Sequence, residues 1–93
     1  MPSRGDAAAA AAERNGPAVE VGSLVRYRSE EDEDDEVVTV VRPDEADPFR
    51  RRISVESPLA RALLGRRPGE RTTAFTPGGR RYLLVLAVQD RSR

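Results

Sequence analysis

The sequence predicts one small α+β domain, an antiparallel β-sheet of about five strands carrying a single short helix. Three observations predict it. Short β-branched or alternating segments recur along the chain and are separated by turn residues. Ser57–Gly65 carries the clearest set of helix start and stop signals. Thr76-Pro77-Gly78-Gly79 marks a tight hairpin just before the longest apolar run.

Met1–Ala18 is Ala-rich and without large aliphatic residues after Met1, so residues 1–18 are expected to be a disordered tail preceding the domain at 19–93. Asp6 could cap two helical turns through Ala7–Arg14, too few to persist alone. Val19–Val21 leads to a turn at Gly22-Ser23, and Leu24–Arg28 alternates as a strand. Glu30–Glu36 is an unbroken acidic run, whose mutual repulsion demands an exposed hairpin tip. Val37–Val41 is β-branched throughout and pairs with the previous strand in the simplest arrangement. Arg42–Pro48 holds two prolines and reads as a loop, followed by a short extended segment over Arg51–Val55. Ser57 is then an N-cap, Pro58 the first helical residue and Gly65 the residue past the helix end. Leu59 and Leu63, like Ala60 and Leu64, stand four apart and form one apolar face. Arg71–Thr76 is a strand, and Tyr82–Val88, apolar on both faces, is an interior one.

Composition narrows function. The 93 residues contain no histidine and no cysteine, which removes the commonest general base, metal ligand and thiol chemistry. No apolar run approaches the roughly eighteen residues that span a bilayer. A soluble, cytoplasmic protein without cofactor, metal or small-molecule substrate is expected. Net charge is zero but segregated: residues 30–47 carry ten acids against one arginine, and residues 48–93 eleven arginines against three acids. That distribution suggests opposed patches suited to oriented protein docking. The acidic run lacks the spaced ligands of a calcium loop and reads as a solvated turn. Arg50, Arg51 and Arg52 are clustered enough to meet an acidic protein surface or, weakly, nucleic-acid phosphate; solvated surface charge is the equally weighted alternative. The few aromatics, Tyr27, Phe49, Phe75 and Tyr82, are expected in the core.

Four segments in order, Val21–Val41, Asp44–Asp47, Ile53–Gly65 and Pro77–Tyr82, give the chain a resemblance to the C-terminal globular domain of the bacterial GreA/GreB transcription elongation factors. The resemblance implies an FKBP-like fold and a partner, RNA polymerase, met at the secondary-channel rim on a coiled coil of the largest subunit. It makes Ser57, Pro58, Leu59 and the adjoining Ala60 contact candidates. Against that, Ser57 and Pro58 could only start the helix and Leu59 only fill the core. Family members place acids at the tip of an N-terminal coiled coil to hold the magnesium of transcript cleavage. About eighteen residues precede the domain here, too few for such an arm at ~1.5 Å per helical residue. The expectation is a polymerase-binding accessory factor that does not cleave and competes with full-length Gre factors. The alternative is a small adaptor for protein or nucleic acid acting through its charge patches. An FKBP-like fold does not by itself bring prolyl isomerase activity, and none is expected.

Overall fold

The computed structural model describes residues 16–90. The elements are β1 (Ser23–Ser29), β2 (Asp35–Val41), β3 (Arg52–Ser54), α1 (Pro58–Leu63), β4 (Arg71–Thr76) and β5 (Gly79–Asp90). Two single-turn 3-10 segments, Pro43–Glu45 and Pro48–Arg50, lie between β2 and β3. The strands form one sheet in the order β3-β2-β1-β5-β4. The α+β class with five strands and one helix therefore stands. The alanine-rich helix considered for residues 7–14 lies outside the described residues.

The sheet is mixed rather than wholly antiparallel. β1 runs antiparallel to β2 and β5, and β4 to β5, but β3 lies parallel to β2, with Thr39 opposite Arg52 and Val41 opposite Ser54. The connection decides this polarity. Pro43 and Pro48 each begin a 3-10 turn, because proline presets the φ that such turns use. The two turns carry the chain back along β2, so β3 starts where β2 is still rising.

The acidic run is also shorter as a loop than its composition suggests. Asp35 and Glu36 belong to β2 and sit opposite Arg28 and Tyr27 of β1. The Arg28 guanidinium meets Asp35 at 2.8 Å and the Tyr27 hydroxyl donates to Glu36 at 3.4 Å, which makes both acids tolerable in the ladder.

β1 shows why the fold has one core. Val25, Tyr27 and the serines at its ends point to the helix side and are buried, while Arg26 and Arg28 face outward. Its ladder with β5 slips between Arg26 and Tyr27, where Ala87 and then Val85 stand opposite, leaving Leu86 as the extra residue of a bulge. The bulge exchanges the faces of β5. It explains how an apolar run with no alternation serves a sheet covered on one side.

α1 packs over this face, chiefly against β4 and less against β3. Leu63 and Ala60 are fully buried among Val25, Val40, Leu83 and Val85. Each such large aliphatic side chain stabilises the fold by about 1.5–3 kcal/mol through burial. Leu59 and Leu64 are half-buried against the same cluster. Gly65 takes φ +81, the left-handed conformation expected past a helix end. Its N–H donates to the Val19 carbonyl at 2.9 Å, and Val19 N–H donates to the Arg66 carbonyl at 2.9 Å, pinning the buried Val19 beside the helix terminus.

The aromatic residues depart from expectation. Only Tyr27 is in the core; Tyr82, Phe75 and Phe49 are exposed. Phe75 follows the buried Ala74 and so falls on the outer parity of β4. Phe49 sits on the second 3-10 turn, outside any sheet or helix face.

Candidate docking surface

Ser57 is built into the start of α1. Its Oγ accepts from Ala60 N–H at 3.2 Å and donates to the Ser54 carbonyl at 2.7 Å. The first bond satisfies one of the four N–H groups that a helix start leaves open. The second fixes the hydroxyl against the end of β3. Pro58, next in line, is exposed and donates no backbone hydrogen bond, so it is presented at a fixed φ on a braced backbone.

Pro58 stands at the mouth of a groove of about 390 Å³ between α1 and β4, lined by Glu56, Arg61, Ala62, Arg66, Thr72, Thr73 and Phe75 as well. Thr72 Oγ1 donates to the Ala62 carbonyl at 2.9 Å, tying the two walls together. Phe75 is 67 % exposed, and the Arg80 guanidinium lies 5.8 Å from its ring centroid, within reach of a cation–π contact. Sequence reasoning missed Glu56, Arg61 and Phe75. The alternation of β4 and the helical spacing of Pro58 and Arg61 carried the signal.

The other candidates divide. Leu59 is half-buried and packs on the core while keeping some surface. Ala60 is 0 % exposed and cannot touch a partner at this surface, so its expected contact role is corrected to core packing. Its position at N3 turns it inward with Leu63. Arg50, Arg51 and Arg52 lie at the opposite end of β3 from Ser57. Arg51 adopts a left-handed backbone (φ 55) and meets Glu36 at 3.4 Å; Arg50 meets Asp47 at 3.7 Å. Arg50 and Arg52 line a separate concavity with Arg42 and Glu45. The triplet is thus split between two directions.

The charge blocks, separate in sequence, meet in space. Arg28 pairs with Asp35 (2.8 Å), Arg51 with Glu36 (3.4 Å), Arg71 with Glu30 (3.9 Å) and Arg81 with Asp32 (3.8 Å). Opposed acidic and basic patches do not form where these pairs interleave. Two groups titrate away from their ordinary values. Burial, and next the neighbouring Glu36 carboxylate, push the Tyr27 phenol up from 10.0. A hydrogen bond from the Ser29 hydroxyl holds Glu31 below the usual carboxylate value. Among the described residues no three His, Cys, Asp or Glu side chains are grouped to hold a metal ion. No helix among them is long and apolar enough to cross a membrane.

Comparison with known proteins decides the family. The description "Transcription elongation factor, GreA/GreB, C-term" matches residues 14–90. The chain belongs to the GreA/GreB family. Transcription elongation factor GreA of Geobacillus kaustophilus is 41 % identical over 75 residues, covering 81 % of this chain and 48 % of that protein. GreA of Bacillus cereus AH187 is 41 % identical over 71 residues, 76 % of this chain and 45 % of that one. Among solved structures, GreA factor homolog 1 (Gfh1) of Thermus thermophilus aligns with a TM-score of 0.69 at 34 % identity, covering 83 % of this chain and 51 % of that one. Thermus aquaticus Gfh1 aligns at 0.72 and 33 %, with the same coverages. The chain spans about half the length of the curated relatives it matches, and the matched GreA/GreB part is the C-terminal domain.

Proposed function

We propose that this GreA/GreB domain is a cytoplasmic accessory factor that docks on RNA polymerase at the secondary-channel rim without cleaving the transcript. It uses Ser57–Leu59 and the groove beside them, and it competes with full-length Gre factors for the site. The observation that carries the reading is Pro58: an exposed, conformationally fixed residue braced by the Ser57 cap beside an exposed aromatic and Arg61. Rigid apolar residues lose little entropy on binding, and aromatic and arginine side chains dominate protein-interface energetics. Four acids of the run, Glu30, Asp32, Asp35 and Glu36, are engaged with arginines. This pairing weighs against an adaptor working through segregated charges.

The test is binding of the purified chain to bacterial core polymerase, together with a transcript-cleavage assay in the presence of an active Gre factor. Native chain binds, slows cleavage by the competing factor and cleaves nothing alone. Pro58→Asp raises Kd at least tenfold, about 1.4 kcal/mol. Absence of binding at micromolar concentration, or cleavage by the chain itself, refutes the proposal.

A further inference from the structure

We propose that Phe49 is a second anchor in the same docking interaction, entering an apolar pocket of the polymerase while Arg50 and Arg52 meet polar groups at its rim. The inference rests on the docking reading above. It comes from Phe49 being 98 % exposed, with no intramolecular packing to explain it.

The turn that carries the ring is built to hold it out. Asp47 Oδ1 accepts from Phe49 N–H at 3.0 Å. Arg50 N–H and Arg51 N–H donate to the Asp47 and Pro48 carbonyls at 3.1 and 3.2 Å. Asp47 and Arg52 close the turn with two reciprocal backbone bonds of 2.9 Å. Arg51 accepts the left-handed conformation (φ 55) that shuts the loop, an unfavourable state for a side chain of this kind. A fully bonded turn with a proline behind the aromatic has a preorganised backbone, so binding has only the ring's own rotamers left to order. The same order holds the Arg51 carbonyl where Thr39 N–H of β2 donates to it at 2.9 Å, but none of these bonds needs an aromatic side chain at position 49.

Placement supports a shared interface. Phe49 and Pro58 flank the two ends of edge strand β3. They stand nine positions apart, so they lie no more than ~32 Å from each other even if fully extended. A standard interface of about 800 Å² per partner is roughly as wide, and one protein surface can cover both.

Charge selects protein over nucleic acid as the occupant. Around the turn, Arg42, Arg50, Arg51 and Arg52 are balanced by Glu36, Asp44, Glu45 and Asp47. A polyanion would find no net positive field there, whereas single-strand binders pair their stacking aromatics with a positive groove. An aromatic inside a mixed polar rim is the anatomy of a protein contact.

The experiment measures the affinity of the native chain, Phe49→Ala, Phe49→Leu and Pro58→Asp for bacterial core polymerase, with thermal melts of each. Phe49→Ala is expected to raise Kd at least tenfold with an unchanged melting temperature, and Phe49→Leu to fall between. If Phe49→Ala binds within twofold of native while Pro58→Asp weakens binding, the Phe49 anchor is overturned and the docking reading stands. If Phe49→Ala weakens binding and Pro58→Asp does not, the anchor stands and the Pro58 assignment falls. Failure of the native chain to bind overturns both. Loss of affinity for a single-stranded RNA oligomer, or of self-association, in Phe49→Ala with polymerase binding intact also overturns the anchor.

Discussion

Replacing Ser57 by alanine separates the two jobs this residue has been given. The hydroxyl makes two bonds, and they are not equally costly to lose. The Ser54 carbonyl keeps the Ser57 backbone N–H at 2.9 Å after the hydroxyl is gone, so it stays satisfied. Ala60 N–H has no such substitute, and Ala60 is fully buried, so water does not replace the cap. Loss of an N-cap costs about 0.5–2 kcal/mol, and a stranded buried donor falls toward the upper part of that range. We expect Ser57→Ala to destabilise the domain by about 1–2 kcal/mol. For a domain of this size each kcal/mol lowers Tm by roughly 4–8 °C, so a drop of about 4–16 °C is expected. Urea and thermal unfolding followed by far-ultraviolet circular dichroism measure it. Ser57→Asn, an equivalent cap, should recover most of the loss. A Ser57→Ala protein within ~0.3 kcal/mol of native, well below the capping range, would show that the helix start does not depend on this bond. The preorganised Pro58 would then lose its physical basis.

Two further outcomes follow from the core. Leu63→Ala removes a side chain with no exposed surface from the centre of the helix–sheet contact; the expected cost is about 2–5 kcal/mol, seen as a lower urea midpoint with an unchanged m-value. Tyr27→Phe tests the raised phenol. Because the folded-state value lies above the unfolded one, the folded state holds its proton more tightly, so this stabilisation is complete below pH 10 and declines as pH rises through the folded value. The chain has no lysine or cysteine to titrate in that range, so the decline in unfolding free energy above pH 10 should be shallower in the variant; identical slopes contradict the assignment.

What could be read in advance was local. Ser57, Pro58 and Gly65 announce a helix with both ends, because capping is decided by residues within a few positions of each other. The same holds for Val37–Val41 and for the Gly78-Gly79 hairpin. The direction of β3 was not legible, since polarity depends on how two proline-led turns add up in space. Nor was the bulge at Leu86, which arises from a slip against a strand far away in sequence. The charge blocks misled for a related reason: hairpin geometry places Glu30 and Asp32 beside arginines of β4 and β5. Ser57 and Pro58 start the helix as expected. Ala60 turned inward with the helix phase, and Phe49 came to light only because its turn lies off every packed face.

The strand order has a consequence for how the protein comes into being. β5 lies between β1 and β4, and its partners on β1 were synthesised about 54–67 residues earlier, a large separation for a chain this small. Until β5 is made, a nascent chain can hold only the β1–β2–β3 portion, with one edge of β1 open, and β4, though already made, has no strand to pair with. Open strand edges and uncovered apolar surface invite wrong partners during synthesis. Success on the ribosome therefore turns on how quickly a single late strand slides into a slot between two earlier ones.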